Sequence, residues 1–407
     1  MSEPTIPTAA APVLFEECKS RDGRRIGIAT LNAARTLNGL SLAMARLLDA
    51  QLRAWASDAG VAMVVLQGAG EKAFCAGGDL HGLYRSMLDY RTGSRRDIRD
   101  NPYASDFFAV EYRLDYLIHT YPKPVLCWGH GIVMGGGIGL MAGASHRVVT
   151  ERSKLAFPEI SIGLFPDVGG SWLLNRVPDR AGLFLALTGA SLNAGDAVYA
   201  GLADWSLREE RRAAVFDDLI DLPWSGDAAA TRRQLSDLLE QHASTPGEGP
   251  LQRHHALIAQ VCGYDGLERI TAAIMEIESD DPWLETAKRT LAGGAPGSAR
   301  LAFELQRRAA SMSLADVFRL EYLVSLHCAA HGDFAEGIRA LLIDKDRQPH
   351  WHPAMLVDAS HAWADAFFSA PWPDSEHPLA DLGQPRLEHD PLQHDLIQHD
   401  LIQGEQQ

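Results

Sequence analysis

The sequence predicts an α/β fold in which a parallel sheet is followed by a helical C-terminal region. Residues 25–31 (RIGIATL) read as a strand, and residues 61–68 (VAMVVLQG) form an apolar run that ends in glycine, as a buried parallel strand does. Between them, apolar residues recur at helical spacing over residues 42–55. Beyond residue 206 the pattern becomes helical. The order of strand, helix and strand indicates a βαβ unit, and the later helices indicate a separate region.

The helix of this first unit is expected to begin after Ser41, because a serine side chain suits the N-cap position. Its apolar face comprises Leu42, Met44, Leu47, Leu48, Leu52 and Trp55. Packing against the core explains this stripe without a functional role.

The segment after the second strand begins with residues 72–80 (KAFCAGGDL). The polar residues that follow, as far as Asn101, predict a mobile loop or a short helix. Helical periodicity returns over residues 107–121, where Glu111 is expected to lie off the apolar face.

Residues 123–131 (KPVLCWGHG) predict a further buried strand, and residues 146–159 predict two shorter strands joined by a turn. From Trp172 to Trp205 helices alternate with turns. Four units follow from these patterns, namely a disordered N-terminal tail (1–12), an α/β core (13–205), a helical C-terminal region (206–372) and a low-complexity tail (373–407) with a near-exact pentad repeat at 389–403.

Composition limits the classes of function. With 37 Lys and Arg against 53 Asp and Glu, the formal net charge of −16 argues against general binding to nucleic acid or to an anionic membrane. The first residues lack the pattern of a signal or transit peptide, which predicts a cytoplasmic location. The five cysteines include no C-x-x-C pair, so free thiols are expected. No metal or redox cofactor is implied.

Two glycine-rich segments each follow a predicted strand. Ala76–Asp79 (AGGD) and Gly135–Gly137 would let backbone N–H groups approach a ligand closely. Two such segments that converge could bind an oxygen atom that becomes negative during a reaction. The alternative is that the glycines only allow helices to pack tightly against the sheet. Two carboxylates, Glu159 and Asp167, follow within thirty-two residues of Gly135, by difference of their numbers.

These motifs occur in an order that resembles the crotonase (enoyl-CoA hydratase/isomerase) superfamily. KAFCAGGD is followed by HGIVMGGGIGL and then by FPEISIGLFPDVGG. The resemblance implies a crotonase-like spiral of ββα units and an acyl-CoA substrate. It also implies that the N–H groups of Ala76 and Gly136 form an oxyanion hole for the thioester oxygen.

One departure from the superfamily pattern concerns the type of reaction. Hydratases of the superfamily carry a glutamate two residues after the glycine triplet, and this chain has Gly139 there. It retains Glu159 and adds Asp167. This combination, with Glu111-Tyr112, resembles the 3-hydroxyisobutyryl-CoA hydrolases. The resemblance implies hydrolysis of a short branched 3-hydroxyacyl-CoA in valine catabolism. The alternatives are an enoyl-CoA hydratase or isomerase, and a non-catalytic scaffold that binds acyl-CoA or protein.

The resemblance also suggests roles for single residues. Glu159 is expected to be the nucleophile or the general base, with Asp167 as its catalytic partner, while Glu111 and Gly136 contact substrate. Arg35 matches the position of a basic residue that binds CoA phosphates, although a surface arginine is an equally simple explanation. Further basic candidates for the phosphates are Lys72 and Lys123. A homo-oligomer is a further expectation, since crotonases often form trimers or hexamers.

Overall fold

The computed structural model describes residues 11–93 and 97–384. The pentad repeat and most of the predicted N-terminal tail lie outside these ranges. Within them, no helix has the length and apolar content needed to cross a membrane. The five cysteines are all free thiols, and Cys75 is buried.

Two sheets organise the core. The strands are β1 (Val13–Lys19), β2 (Arg25–Leu31), β3 (Val61–Gly68), β4 (Ala73–Cys75), β5 (Val125–Gly129), β6 (Ile132–Met134), β7 (His146–Thr150), β8 (Lys154–Ala156) and β9 (Trp205–Leu207). The larger sheet has the order β1-β2-β3-β5-β7-β9, and the smaller has the order β4-β6-β8. Only the β1–β2 pair is antiparallel among these neighbours.

Helices make up much of the rest of the described chain, and some of them cover each face of the larger sheet. They are α1 (Leu42–Ser57), α2 (Leu80–Thr92), α3 (Pro102–His119), α4 (Gly136–Ala142), α5 (Gly170–Leu174), α6 (Ala181–Thr188), α7 (Ala194–Tyr199), α8 (Arg212–Asp221), α9 (Ala228–His242), α10 (Pro250–Arg253), α11 (His255–Cys262), α12 (Leu267–Met275), α13 (Pro282–Gly293), α14 (Pro296–Ala309), α15 (Leu314–His331), α16 (Phe334–Ile338) and α17 (His361–Asp365). The central strands β3 and β5 of this sheet are buried runs because both of their faces are covered, whereas the edge strand β1 is largely exposed or half-buried.

The first βαβ unit confirms the sequence prediction closely. Strands β2 and β3 have the predicted bounds, and they pair in parallel. The Ser41 side chain accepts a hydrogen bond from the Met44 N–H and caps α1. One member of the predicted apolar face differs, since Leu47 is 41% exposed.

The polar segment before Asn101 was expected to be a mobile loop or a short helix, and most of it is the 13-residue helix α2. Its buried residues Leu83, Met87 and Tyr90 repeat at helical spacing. The charged residues around them hide this pattern in the sequence. Helix α3 buries Glu111 as well as its apolar residues, because other helices cover it on several sides.

The smaller sheet determines where the site lies. Strands β4, β6 and β8 run parallel, so their carboxyl ends meet at one edge. The segments that leave this edge are Ala76–Asp79, Gly135–Gly137 and the turn that begins at Glu159. Segments far apart in the sequence are thereby brought to a common position.

Helices dominate the C-terminal half of the chain, as expected. Helix α15 is buried on most of its sides, and it packs against α3 and α2. Residues 377–382, which the sequence assigns to the tail, also pack on this helix, since Leu379 and Leu382 are buried. The division of the chain into separate units stays a prediction.

Candidate active site

A cavity of about 70 Å³ lies at the carboxyl edge of the smaller sheet. Its polar residues are Glu111, Glu159 and Asp167. Apolar walls come from α2, α3 and α16, and its lining also includes backbone from both glycine-rich segments. All the residues predicted to be catalytic or to form the oxyanion hole thus line one cavity.

The two glycine-rich segments approach each other within this cavity. A Cβ atom at Gly136 would lie 3.5 Å from the Gly78 nitrogen and would collide with the Glu111 carboxylate. A Cβ atom at Gly135 would lie 3.0 Å from Glu159 Oε1. The carboxyl groups of Glu111 and Glu159 therefore occupy the space beside these two glycines, and a Cβ atom at either position would displace one of them.

One predicted donor is not available. The Ala76 N–H already donates to the Leu37 carbonyl oxygen at 3.1 Å, so the expectation that it forms the oxyanion hole is contradicted. The Gly78 N–H has no acceptor within the described residues, and it faces Gly136. Gly136 is the first residue of α4, where an N–H group has no acceptor within its own helix. Gly78 and Gly136 accordingly each offer an N–H group that has no acceptor among the described residues.

Burial controls the acidity of the carboxyl groups. It raises the pKa of Glu159 well above its ordinary value, and the charge of Asp167 adds to the rise. The pKa of Glu111 is raised for the same two reasons. Throughout the described ranges, neither glutamate forms an ion pair with a basic side chain. Each of these carboxyl groups opposes the ionisation of the others, so the cavity holds its protons to a higher pH than isolated carboxyl groups would.

Asp167 is held by a hydrogen-bond chain. The Tyr112 hydroxyl donates to Asp167 Oδ2 at 2.7 Å and is itself 2.8 Å from the Ser325 hydroxyl. Burial raises the pKa of Asp167 to about 6, and the bond from Tyr112 opposes that rise. Sequence reasoning noted Tyr112 only as part of a resemblance, and Ser325 carried no signal of its own.

Two buried acids beside the cavity were not predicted. Asp115 lies on α3, one turn after Glu111, and Glu321 lies on α15. Both are completely buried. The signal that could have identified Glu321 is its position within an otherwise apolar helical run, where a charged residue has no exposed face to occupy.

The basic candidates for CoA binding lie in different places. Arg35 and Lys72 line one open cleft of about 320 Å³, and Leu37 lines it too. Through the Leu37 carbonyl and the Ala76 N–H, this cleft adjoins the catalytic cavity. Lys123 instead donates to the carbonyl oxygens of Trp55 and Asp58, so it serves the loop after α1. In the part of the chain that the structure describes, no group of three or more His, Cys, Asp or Glu residues could hold a metal ion.

Comparison with known proteins identifies the family. Residues 26–368 match the family model described as enoyl-CoA hydratase/isomerase. The chain belongs to the enoyl-CoA hydratase/isomerase family. Solved family structures include an enoyl-CoA hydratase from Rhodobacter sphaeroides 2.4.1, with a TM-score of 0.75 and 32% identity over 89% of this chain and 98% of that one. The predicted crotonase-like α/β fold is confirmed.

Another solved relative is a carnitinyl-CoA dehydratase from Mycobacterium thermoresistibile, with a TM-score of 0.77 and 34% identity over 89% of this chain and 97% of that one. Among curated relatives, 3-hydroxyisobutyryl-CoA hydrolase from Danio rerio is 37% identical over 89% of this chain and 90% of its own. The enzyme of that name from Homo sapiens is 33% identical over 82% of this chain and 83% of its own.

The comparisons correct one expectation. Both curated relatives are named as mitochondrial proteins, so the predicted cytoplasmic location is wrong. That expectation relied on the composition of the first residues, and the physical properties of a folded enzyme do not record its compartment.

Proposed function

We propose that this chain hydrolyses the thioester of 3-hydroxyisobutyryl-CoA, a step of valine catabolism. The curated relatives from zebrafish and human carry this activity in their names and match more than four fifths of the chain. The solved relatives are named as a hydratase and a dehydratase. The relatives therefore represent two types of reaction, thioester hydrolysis and the addition or removal of water, and the chemistry of the site has to distinguish them.

The observation that carries the proposal is the surroundings of Gly139. A Cβ atom there would lie 2.6 Å from Asp115 Oδ2 and 2.8 Å from Val168 Cβ. An acidic side chain at this position would collide with both groups, so there is no room here for the glutamate that hydratases of the family carry. The cavity contains instead Glu159 and, on a separate turn, Asp167. This arrangement supports hydrolysis.

Hydrolysis begins with attack on the carbonyl carbon of the thioester. The electron pair moves to the carbonyl oxygen, where the N–H groups of Gly78 and Gly136 stabilise it by about 3 kcal/mol each. When the intermediate collapses, the C–S bond breaks and CoA leaves as a thiolate, which takes a proton from a protonated carboxyl group of the cavity. If Glu159 attacks as a carboxylate, the raised pKa of Glu111 supports Glu111 as the source of this proton. If Glu159 acts as a general base, it passes on the proton that it has taken from water.

Glu159 acts at this carbon in one of two ways. As a nucleophile, its carboxylate forms a mixed anhydride that water then opens to regenerate the glutamate and release the acid. As a general base, it removes a proton from the attacking water. A raised pKa favours both roles, because a carboxylate of high proton affinity is the stronger base and nucleophile once it ionises. Asp167 and Glu111 orient water and the substrate hydroxyl.

The acyl-CoA follows the two adjoining cavities. The acyl group occupies the catalytic cavity, whose small volume suits a short chain. The phosphates lie in the cleft where Arg35 and Lys72 supply positive charge. Glu71 also lines this cleft, so the two cations are partly offset there.

Glu159→Gln tests the proposal. We expect loss of free-thiol release from 3-hydroxyisobutyryl-CoA by at least about a thousandfold, since the amide is neither nucleophile nor base. Binding of the acyl-CoA, measured by calorimetry, should remain within about threefold. Glu276→Gln is a matched control because that glutamate is exposed at the end of α12.

Three results would contradict the proposal or its catalytic assignment. Thiol release at a rate near wild type in Glu159→Gln would remove Glu159 from the reaction. Turnover of an enoyl-CoA without thiol release would favour the hydratase or isomerase. Binding without any turnover by the wild-type chain would favour the non-catalytic scaffold.

A further inference from the structure

The turn that carries Asp167 has an unfavourable backbone conformation. Val168 has φ of +53° and Gly169 has φ of +80°, so two successive residues lie in the left-handed region. Glycine adopts this conformation readily, but a β-branched residue such as valine rarely does. The turn must therefore be held in place by its surroundings.

Glu321 supplies two of the contacts that hold it. Its Oε2 accepts a hydrogen bond from the Gly169 N–H at 2.7 Å, and its Oε1 accepts one from the Ser171 N–H at 2.9 Å. Gly169 is the N-cap residue of α5 and has no side chain that could make these bonds. A carboxylate from another helix, some 150 residues later in the chain, thus caps this helix.

The same helix also holds the carboxyl group of Asp167. Ser325 lies one turn after Glu321 on α15 and contacts the Tyr112 hydroxyl, which donates to Asp167. The backbone after Asp167 and its side chain are consequently both fixed from one face of α15. A shift of α15 would therefore move the backbone of the turn and the Asp167 carboxyl group together.

Burial of a carboxyl group is unfavourable unless the group forms compensating interactions. Glu321 is completely buried and forms no ion pair within residues 11–93 and 97–384. Burial raises its pKa to about 8, although the Ser171 and Gly169 N–H groups lower it. It does not line the catalytic cavity. Substrate contact therefore does not explain its presence, whereas support of the Asp167 turn does.

We propose that Glu321 is a positioning residue for thioester hydrolysis, which fixes the strained Asp167–Gly169 turn so that the Asp167 carboxylate faces the cavity. The inference rests on the proposed function of the site. It assigns a task to a carboxylate that does not touch the substrate, and it explains how a valine is kept in a left-handed conformation next to a reacting group.

Glu321→Gln is the decisive variant, because an amide nitrogen cannot accept the second backbone N–H bond. We expect kcat for 3-hydroxyisobutyryl-CoA to fall by about tenfold or more, since a small displacement of an orienting group has a large effect on rate. KM should change by less than about threefold, because the CoA contacts are remote from the turn. Hydrogen exchange of the Gly169 and Ser171 amides should become faster.

Glu304→Gln is the matched control. Glu304 is a buried glutamate on α14 that pairs with Arg307 and does not line the catalytic cavity. Its loss should lower Tm while kcat stays within about twofold and exchange at the turn stays unchanged. A purely structural role of Glu321 would give the same pattern in Glu321→Gln, and that result would overturn the proposal.

A second variant decides the matter if Glu321→Gln does not fold. Ser325→Ala removes only a hydroxyl group, and we expect kcat to fall by about fivefold with KM unchanged, as for the loss of one hydrogen bond. An unchanged kcat in that variant would overturn the proposal. If the wild-type enzyme releases no thiol, the proposed function fails instead, and the exchange of the two amides in Glu321→Gln still shows whether Glu321 holds the turn.

Discussion

Asp115 is a buried acid whose carboxyl group lacks hydrogen-bond partners among the described residues. Its carboxyl group is completely buried, and neither oxygen has a hydrogen-bond partner among the described residues. Burial raises the pKa of Asp115 well above its ordinary value, and the acids Glu111, Asp167 and Glu321 raise it further. In the folded protein this group therefore holds its proton at a pH where an unfolded chain loses it.

Asp115→Asn is expected to change how stability depends on pH. The unfolded wild-type chain releases the Asp115 proton above about pH 4, whereas the folded chain retains it, so the free energy of unfolding falls by about 1.4 kcal/mol per pH unit until the folded pKa is reached. Asparagine does not ionise, so the variant lacks this fall. Urea unfolding should show little difference near pH 4 and a stabilised variant at pH 7.

The control for this prediction lies on the same helix. Asp106 is on α3 with its side chain 59% exposed, so Asp106→Asn should shift stability by a small amount that does not grow with pH. A wild-type advantage over Asp115→Asn at pH 7 would mean that the Asp115 carboxylate is ionised and stabilised in the folded state.

At the scale of elements, two N-caps illustrate how similar local structures differ in their consequences. Ser41 caps α1 and accepts only from the Met44 N–H among the described contacts of its side chain, whereas Asp79 caps α2 directly after Gly78. Asp79 Oδ1 accepts from the Gly82 N–H, and its Oδ2 accepts from the Tyr103 hydroxyl on α3. Asp79 therefore connects α2 to α3, and it does so directly after Gly78, whose N–H group is a proposed oxyanion donor.

Asp79→Ala and Ser41→Ala form a matched pair. Each loses a helix cap, which costs about 1 kcal/mol. Asp79→Ala also loses the hydrogen bond from Tyr103, so chemical denaturation should show the larger loss of stability for this variant. Only Asp79→Ala should reduce kcat, by about tenfold, because the Gly78 N–H loses its fixed direction. Equal kcat in the two variants would show that the cap of α2 does not influence the donor.

For the whole molecule, the end of the described chain closes over the helices that support the site. Arg113 on α3 forms an ion pair with Asp381 at 2.6 Å, and Arg319 on α15 donates to the carbonyl oxygens of Leu379 and Leu382. Leu379 is completely buried. Residues 377–382 thus join α3 and α15, the two helices that carry Glu111, Tyr112 and Glu321.

Two truncations test this arrangement. A chain that ends at Gln384 should keep wild-type stability and thiol release, because it retains every contact just described. A chain that ends at Pro373 exposes the surface that Leu379 and Leu382 cover and should lose about 2 to 5 kcal/mol of stability. For each of the two chains, thermal unfolding measures stability and kcat measures thiol release. Equal Tm values for the two chains would contradict a structural role of residues 377–382.

The sequence alone determined the local features of this protein and its resemblance to a family. Strand β2, strand β3 and the Ser41 cap follow from apolar periodicity and capping chemistry, which are properties of neighbouring residues. The resemblance to a family implied roles for Gly136, Glu159 and Asp167, whose motifs are short and continuous, and these roles stay predictions. For the segment that forms helix α2, the sequence left a mobile loop and a short helix open, because charged residues interrupt its apolar spacing.

Only the tertiary structure decided which of these groups can act together. The Ala76 N–H is unavailable because Leu37, far away in the sequence, accepts it, and the Asp167 turn depends on Glu321. Burial by distant helices, rather than residue type, raises the pKa of Glu111 and Asp115. Hydrogen-bond partners and desolvation depend on contacts between remote segments, and periodicity along the chain does not contain that information.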